Sequence, residues 1–492
     1  MAGFMRRLTT ERAAVLIVFL LLFAMASRVA VDPDMWWHIR LGRQSIETGD
    51  IVYADRFSHT KMGSIHKNHS WLAQVVMALL WRQGGHLGLT VFVSSLAVGG
   101  MVFVYLGGRG SIYMQGFVLV LGSACAAAFW SPRPQMFTFL FAALLFFLLQ
   151  RLKRRGRTPV WSLPVLMWLW ANLHGGYMVG YLFISAFVLG EWLNRLLGAG
   201  ESVVALPRVK RLCWVTLLSL ALLPINPLGL DVFTAPFETL GISGLRDFIQ
   251  EWQSPDFAQP AAWSFVILAV ALLGASWAGG RRFDFSEFLL AGGTMFMALF
   301  SARHLSLFAI TAAPVIATHF DAILERKGGR ITRRAVETPI RLALNIALVF
   351  LVALGTVAHV AYVSRPETVD QSLALNYPVA AVEYLKATAF EGKLFNSYNW
   401  GGYLILKSPN FPVFIDGRTD LHRDSLAEYT AAFGTPAWTE VFARHEIDIA
   451  LIETGGPLAW RLAADENWQQ VYQDDVASIY TLIGGDRGGE GP

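Results

Sequence analysis

The stretch that decides the fold runs Arg12-Ala13-Ala14-Val15-Leu16-Ile17-Val18-Phe19-Leu20-Leu21-Leu22-Phe23-Ala24-Met25-Ala26-Ser27-Arg28-Val29-Ala30-Val31-Asp32-Pro33-Asp34. From Ala13 to Val31 it is long and apolar enough to cross a hydrocarbon core, which needs about 20 such residues. Arg6, Arg7 and Arg12 precede it, and two carboxylates follow at once. A signal peptide has a shorter apolar region than this one. The expectation is therefore an uncleaved first transmembrane helix.

The rest of the chain repeats this pattern. Of 492 residues, 54% are hydrophobic and 15% charged, and the mean hydropathy is +0.44. A soluble domain of this size would need more charge to cover its surface. Many of the 17 Trp sit at the ends of apolar runs, where interfacial belts form. The net charge of +4 gives no footprint for nucleic acid. The only cysteines, Cys125 and Cys213, fall inside expected spans, which excludes a disulfide framework and a cysteine-based zinc site.

Apolar runs predict about eleven spans, at 13–31, 87–107, 115–131, 134–150, 160–175, 177–197, 211–226, 262–279, 286–301, 304–320 and 340–362. Six basic clusters separate them. These are Arg6/Arg7/Arg12, Arg109, Arg151/Lys153/Arg154/Arg155/Arg157, Arg208/Lys210/Arg211, Arg281/Arg282 and Arg326/Lys327/Arg330/Arg333/Arg334. Threading the spans puts all six on one side, which the positive-inside rule makes the cytoplasm. The N-terminus is then inside. The opposite side receives the 32–86 loop, the turns around Arg133, Asn172 and His174, the 226–261 loop, Arg303-His304, and everything after Tyr362.

The expected fold is mainly α. A transmembrane helical bundle with its outer loop spans 1–365, an extramembrane α/β domain spans 366–484, and 485–492 form a disordered tail. Met35 to Ile46 has the pattern of an interfacial helix, and Ser70 to Trp81 reads as a second juxtamembrane helix. In the C-terminal domain, short apolar runs at Lys393–Phe395, Val413–Ile415, Ile449–Ile452 and Ser478–Tyr480 alternate with helical stretches. A small, partly parallel sheet follows from that alternation.

The chemistry-capable residues gather on the outer side. Asp32 and Asp34 stand at a membrane edge, where carboxylates are costly unless hydrated or partnered. An Asp-x-Asp pair can bind a divalent cation such as Mg or Mn, or one acid can act as a general base. Asp34 can equally cap the following helix. His69 and Asp55 share the loop, and a metal held by Asp32, Asp34 and His69 is one reading. Arg133 and Arg303 can hold a phosphate at headgroup depth, or can simply reach into lipid headgroups. His304, Asn172 and His174 lie beside them, with turn and capping roles as the plain alternative. Glu251 adds an acid from the 226–261 loop. In the C-terminal domain Asp416 and Arg418 either touch an acceptor or form a buried pair that fixes a turn, and Asn399-Trp-Gly-Gly-Tyr403 offers aromatic surface for a sugar ring. No Walker phosphate loop, Gly-x-Ser-x-Gly, His-Glu-x-x-His or Gly-x-Gly-x-x-Gly motif is present.

The Arg-rich N-terminus, first span, Asp-x-Asp at its outer end and long outer loop together resemble the GT-C glycosyltransferase superfamily. Asp34-Met-Trp-Trp37-His38-Ile-Arg-Leu-Gly-Arg43, Asp55-Arg-Phe-Ser58, His69-Ser-Trp-Leu72, Asn399-Trp-Gly-Gly-Tyr403 and Phe414-Ile-Asp-Gly-Arg418 are similar to a group of bacterial members. The resemblance implies sugar transfer from a polyprenyl-phosphate donor to a glycan, lipid or protein acceptor on the outer face of a bacterial inner membrane. It implies Asp32 or Asp34 as catalytic base or metal ligand. It also places Trp37, His38, Asp55, His69, Arg133, Asn172, His174, Glu251, Arg303, His304, Asp416 and Arg418 as substrate-contacting candidates. Two other classes remain open at this point: a transporter or flippase of lipid-linked sugars, and a non-enzymatic assembly protein.

Overall fold

A computed structural model describes residues 8–51, 54–156, 158–241, 249–278, 281–282, 284–327, 337–388 and 390–483. Arg6/Arg7, Arg157, Arg330/Arg333/Arg334 and the 485–492 tail lie outside the described residues.

The chain divides into two compact units. The first comprises Met1–Arg28, Thr90–Phe233 and Leu245–Val363, and the second Val29–Leu89, Thr234–Gly244 and Ser364–Pro492. The first unit is a helical bundle. Each of the eleven expected spans falls on a helix, but a count of eleven crossings is not reproduced. Among the described residues seven helices are long and apolar enough to cross a membrane, and Val160–Leu173 and Phe285–Phe300 are apolar but shorter. Thr10–Ala26 and Leu206–Leu222 each have 17 residues. At about 1.5 Å per residue that falls short of a core about 30 Å thick.

The helix Leu305–Arg326 is the hub of this bundle. It packs on Ile112–Ala126, Trp263–Ala278 and Phe285–Phe300, and is buried from Leu305 to His319. Small residues permit the close approach, since a Cβ on Gly122 would lie 3.3 Å from that of Ala313. The buried hydroxyls of Thr294 and Thr311 bond at 2.7 Å between two helices. Pro314 is accommodated in the interior of the hub helix, and its own carbonyl accepts from the Thr318 hydroxyl at 2.7 Å. The helix Pro339–Val363 touches Thr10–Ala26 but is largely exposed and apolar, as a lipid-facing helix is.

The second unit contains the helix Met35–Thr48 and a four-stranded sheet, order β1-β2-β4-β3, with β1 Lys393–Asn396, β2 Ile447–Glu453, β3 Trp468–Gln473 and β4 Ala477–Leu482. Only β1 and β2 run parallel, so the sheet is partly parallel as expected. Strand β3 is absent from the sequence reading because Gln469 and Gln470 are polar and exposed on this edge strand. Val413–Ile415 is not a strand of the sheet. It forms a parallel bridge to Ser58 instead.

The expected interfacial helix is a helix, but its apolar side faces protein. Trp36 and Ile39 are fully buried, and Trp36 meets Trp81, Tyr377 and Tyr403 edge-on at 5.3–5.8 Å. The helix that begins at Trp71 runs to Gly107, with a break at Gly85, whose φ of 50° is one a side chain rarely adopts.

Candidate functional site

Asp32-Pro33-Asp34 turns the chain into the helix Met35–Thr48. The Asp34 amide donates to Asp32 Oδ1 at 2.9 Å, and the Met35 amide to the Asp32 carbonyl at 3.2 Å. Asp34 occupies the N-cap position, yet its side chain caps no amide. Its Oδ1 accepts from the indole Nε1 of Trp37 at 3.1 Å instead. The capping alternative therefore does not describe this carboxylate. One turn further, His38 lies against the Trp37 ring at 3.6 Å and contacts Gln74 Nε2 through Nδ1 at 3.3 Å.

Three motifs far apart in sequence meet here. Gly417 sits against Asp34 so closely that a Cβ would fall 1.8 Å from Asp34 Oδ1 and 3.0 Å from Trp37 Nε1. A Cβ on Gly402 would lie 2.4 Å from the Pro33 carbonyl, and one on Gly401 2.2 Å from the Ile415 carbonyl. The glycines of both C-terminal motifs thus let backbone press against the Asp-Pro-Asp turn. Asn399-Trp-Gly-Gly-Tyr403 is not open sugar-stacking surface. Trp400 and Tyr403 are buried, Trp400 Nε1 donates to the Asn376 carbonyl at 3.1 Å, and Tyr403 packs on Trp36 and Tyr377.

Below this contact lies a buried ionic cluster. Arg418 Nη1 donates to Asp55 Oδ1 at 2.6 Å, Nη2 to Asp416 Oδ2 at 2.6 Å, and Nε to Asp416 Oδ1 at 2.8 Å. His422 Nε2 adds a contact to Asp416 at 3.1 Å, and none of these side chains exceeds 1% exposure. Burial opposes the charge on Asp416, but Arg418 and His422 outweigh it and hold the carboxyl well below the usual range. Asp55 also accepts from the Ser58 amide at 3.0 Å and from its hydroxyl. Asp55, Asp416 and Arg418 are joined to one another, which is the buried-pair alternative. Beside them His66 stands 3.5 Å from Asp420. Burial would raise Asp420, yet His66 and His69 keep its carboxyl below the usual range. The His66 ring is 6.3 Å from that of Trp37. His66 was missed in the sequence, where His66-Lys-Asn-His69 carries no recognisable spacing.

The first unit holds a second group. Arg133 grips Glu251 with both terminal nitrogens, at 3.2 and 3.3 Å. Arg303 lies over the Trp252 ring at 4.1 Å, a cation–π distance. Burial would raise Glu251, but Arg133 and Arg303 together hold its carboxyl below the usual value. The Ser301 hydroxyl donates to the Glu251 carbonyl at 3.0 Å, and the Ala302 amide to Gln253 at 2.9 Å, so the 250–253 turn is fastened to the turn carrying Arg303. Trp252 is the member that sequence reading left out. The remaining candidates serve local structure. Asn172 is buried, donates to the Trp168 carbonyl and accepts from Asn226. His174 Nδ1 accepts from the Gly176 amide at 3.1 Å and contacts the Thr138 hydroxyl at 2.7 Å. His304 Nδ1 faces the Met297 carbonyl at 3.3 Å.

Among the described residues no three of His, Cys, Asp and Glu converge as a metal-ligand set. Asp32 Oδ1 and Asp34 Oδ1 are engaged by an amide and an indole.

No family model and no curated relative matches the sequence. Solved structures do. ArnT from Cupriavidus metallidurans bound to undecaprenyl phosphate aligns with 96% of this chain and 98% of its own, at a TM-score of 0.51 and 13% identity. The oligosaccharyltransferase AglB from Archaeoglobus fulgidus, in complex with an inhibitory peptide and a dolichol-phosphate, aligns with 89% of this chain and 69% of its own, at 0.56 and 11%. The same archaeal enzyme tethered to an acceptor peptide gives 0.57 and 12%, over 89% and 68%. At such identities the likeness lies in the fold alone, which this chain shares with these ArnT and oligosaccharyltransferase structures.

Proposed function

We propose that this protein transfers a sugar from a polyprenyl-phosphate donor to an acceptor hydroxyl or amide on the outer face of a bacterial inner membrane. The observation that carries this reading is the fold shared almost end to end with a structure bound to undecaprenyl phosphate. The pairing of Arg133 and Arg303 around Glu251 and Trp252 supports it. A guanidinium group matches phosphate geometry.

Asp34 is the catalytic base in this reading. It takes the acceptor proton as the acceptor atom attacks the anomeric carbon. The bond from that carbon to the phosphate oxygen breaks, and the polyprenyl phosphate departs as an anion. A single displacement of this kind inverts the anomeric configuration. In the first unit Arg133 and Arg303 are the cations suited to a charge that grows on a departing phosphate. Trp37 and Gly417 hold the Asp34 carboxylate in place, and Asp32 holds the backbone beneath it. The leaving phosphate needs no proton, so one base suffices. No step runs through a metal.

The test uses membranes containing the full chain and a panel of radiolabelled polyprenyl-phosphate sugars, with release of polyprenyl phosphate as the readout. Asp34→Asn is expected to abolish turnover while the protein still accumulates and unfolds at the wild-type temperature. Full activity in both Asp32→Asn and Asp34→Asn would refute the assignment.

A further inference from the structure

At the bundle end that carries the basic clusters, three of those clusters fold into one recess. Arg109 comes from the end of one helix, Lys153 and Arg154 from the last turn of another, and Arg281 and Arg282 from the segment before Phe285. The recess encloses about 400 Å³ of open space, part of it continuous with solvent, and Glu201, Asp284 and Glu287 complete its charged lining.

The charges within it are unevenly spent. Lys153 is buried and bound to Glu191 at 2.5 Å and Asp284 at 2.6 Å. Arg281 pairs with Glu201 at 2.7 Å, and Glu287 lies 3.3 Å from His319. Arg154 donates to the Gly108 carbonyl at 3.2 Å. Among the described residues no carboxylate lies within ion-pair distance of Arg109, Arg154 or Arg282. Guanidinium groups that served only to mark topology would splay into lipid headgroups. Here three of them border one polar cavity, and a bound anion would add to the relief of their mutual repulsion that its carboxylates supply.

We infer that this recess binds a phosphate-bearing ligand, either a soluble phosphate or the phosphate of a lipid headgroup, at the end of the bundle that carries the basic clusters. The planar fork of Arg suits a phosphate, and the fixed Lys153–Glu191–Asp284 network keeps the wall rigid. Its lining shares no residue with the Arg133–Glu251–Arg303 group or the Asp34 turn, so it does not depend on sugar transfer.

The experiment measures thermal unfolding of the full chain in nanodiscs. One arm titrates inorganic phosphate against chloride of matched ionic strength, in phosphatidylcholine discs. The other replaces part of the phosphatidylcholine with phosphatidic acid. A ligand that binds the folded state raises the midpoint in a saturable way. Inorganic phosphate acting in plain discs identifies a soluble ligand, and stabilisation by phosphatidic acid alone identifies a headgroup. In either case Arg109→Gln and Arg282→Gln, both at exposed positions, should weaken the half-saturating concentration at least about tenfold, the worth of a charge-assisted contact. No rise in either arm, or a rise equal in the wild type and both variants, overturns the proposal.

Discussion

At the scale of single residues the second unit depends on two contacts that tolerate no change. The first is Gly417 against Asp34. Gly417→Ala would place a methyl group where Asp34 Oδ1 now lies, 1.8 Å away, and must displace the carboxylate. A shift of about 1 Å in a catalytic group can cost about a hundredfold. Gly417→Ala is therefore expected to reduce sugar transfer by about that factor, mainly in kcat, and an unchanged kcat would separate Asp34 from the chemistry. The second contact is Arg418 between Asp55 and Asp416. Arg418→Met strands two buried carboxylates, and losing one partner of such a group costs about 3–5 kcal/mol. A fall in the unfolding midpoint on a thermal scan checks it. The pH dependence follows from Asp416. Its carboxyl is depressed by Arg418 and His422 despite burial, so its contribution is present above the unfolded carboxylate pKa and is lost as pH falls through the lower folded value. Stability should hold from neutral pH down to the ordinary carboxylate range, begin to fall there as the unfolded chain takes up protons, and go on falling toward the lower folded value. In Arg418→Met burial is left to raise the Asp416 carboxyl, so the acid-induced loss from this group should shrink.

At the scale of elements, helices approach one another wherever glycine removes a side chain. Gly42, on the helix Met35–Thr48, would carry a Cβ 2.0 Å from the Gln74 carbonyl and 2.9 Å from Ala78. The two helices of the first loop thus touch backbone to backbone, and Gln74 spends its side-chain amide on Asn68 at 2.7 and 2.8 Å. Gly42→Leu should force them apart and expose the buried Trp36 cluster, seen as a red shift of tryptophan emission and faster limited proteolysis of the 49–70 loop. Identical emission and proteolysis would show that the helices yield without cost. The existence of the Met35 helix was legible from its 3.6-residue period. Which surface covers its apolar side was not, because Tyr377 and Tyr403 arrive from the far end of the chain.

At the scale of the whole molecule, the proposed topology places the N-terminus in the cytoplasm and the second unit outside. Alkaline phosphatase joined after Ile483 should then be active in intact cells, and a fluorescent protein at the same place dark. The opposite pattern would reverse the orientation and remove the outer-face reading. Sequence alone determined the helical membrane class, since a long apolar run in lipid has no other way to satisfy its backbone. It also singled out Asp32, Asp34, Arg133, Glu251 and Arg303 as candidates, because charge at a membrane edge is costly unless hydrated or partnered. Only the tertiary structure decided what each residue does. Arg418 reaches Asp55 across 363 positions, Glu251 reaches Arg133 across 118, and Asp34 is shaped by a glycine whose side chain is missing. Contacts of that separation leave no periodicity or spacing in the chain. They exist only once folding has removed water from between the partners.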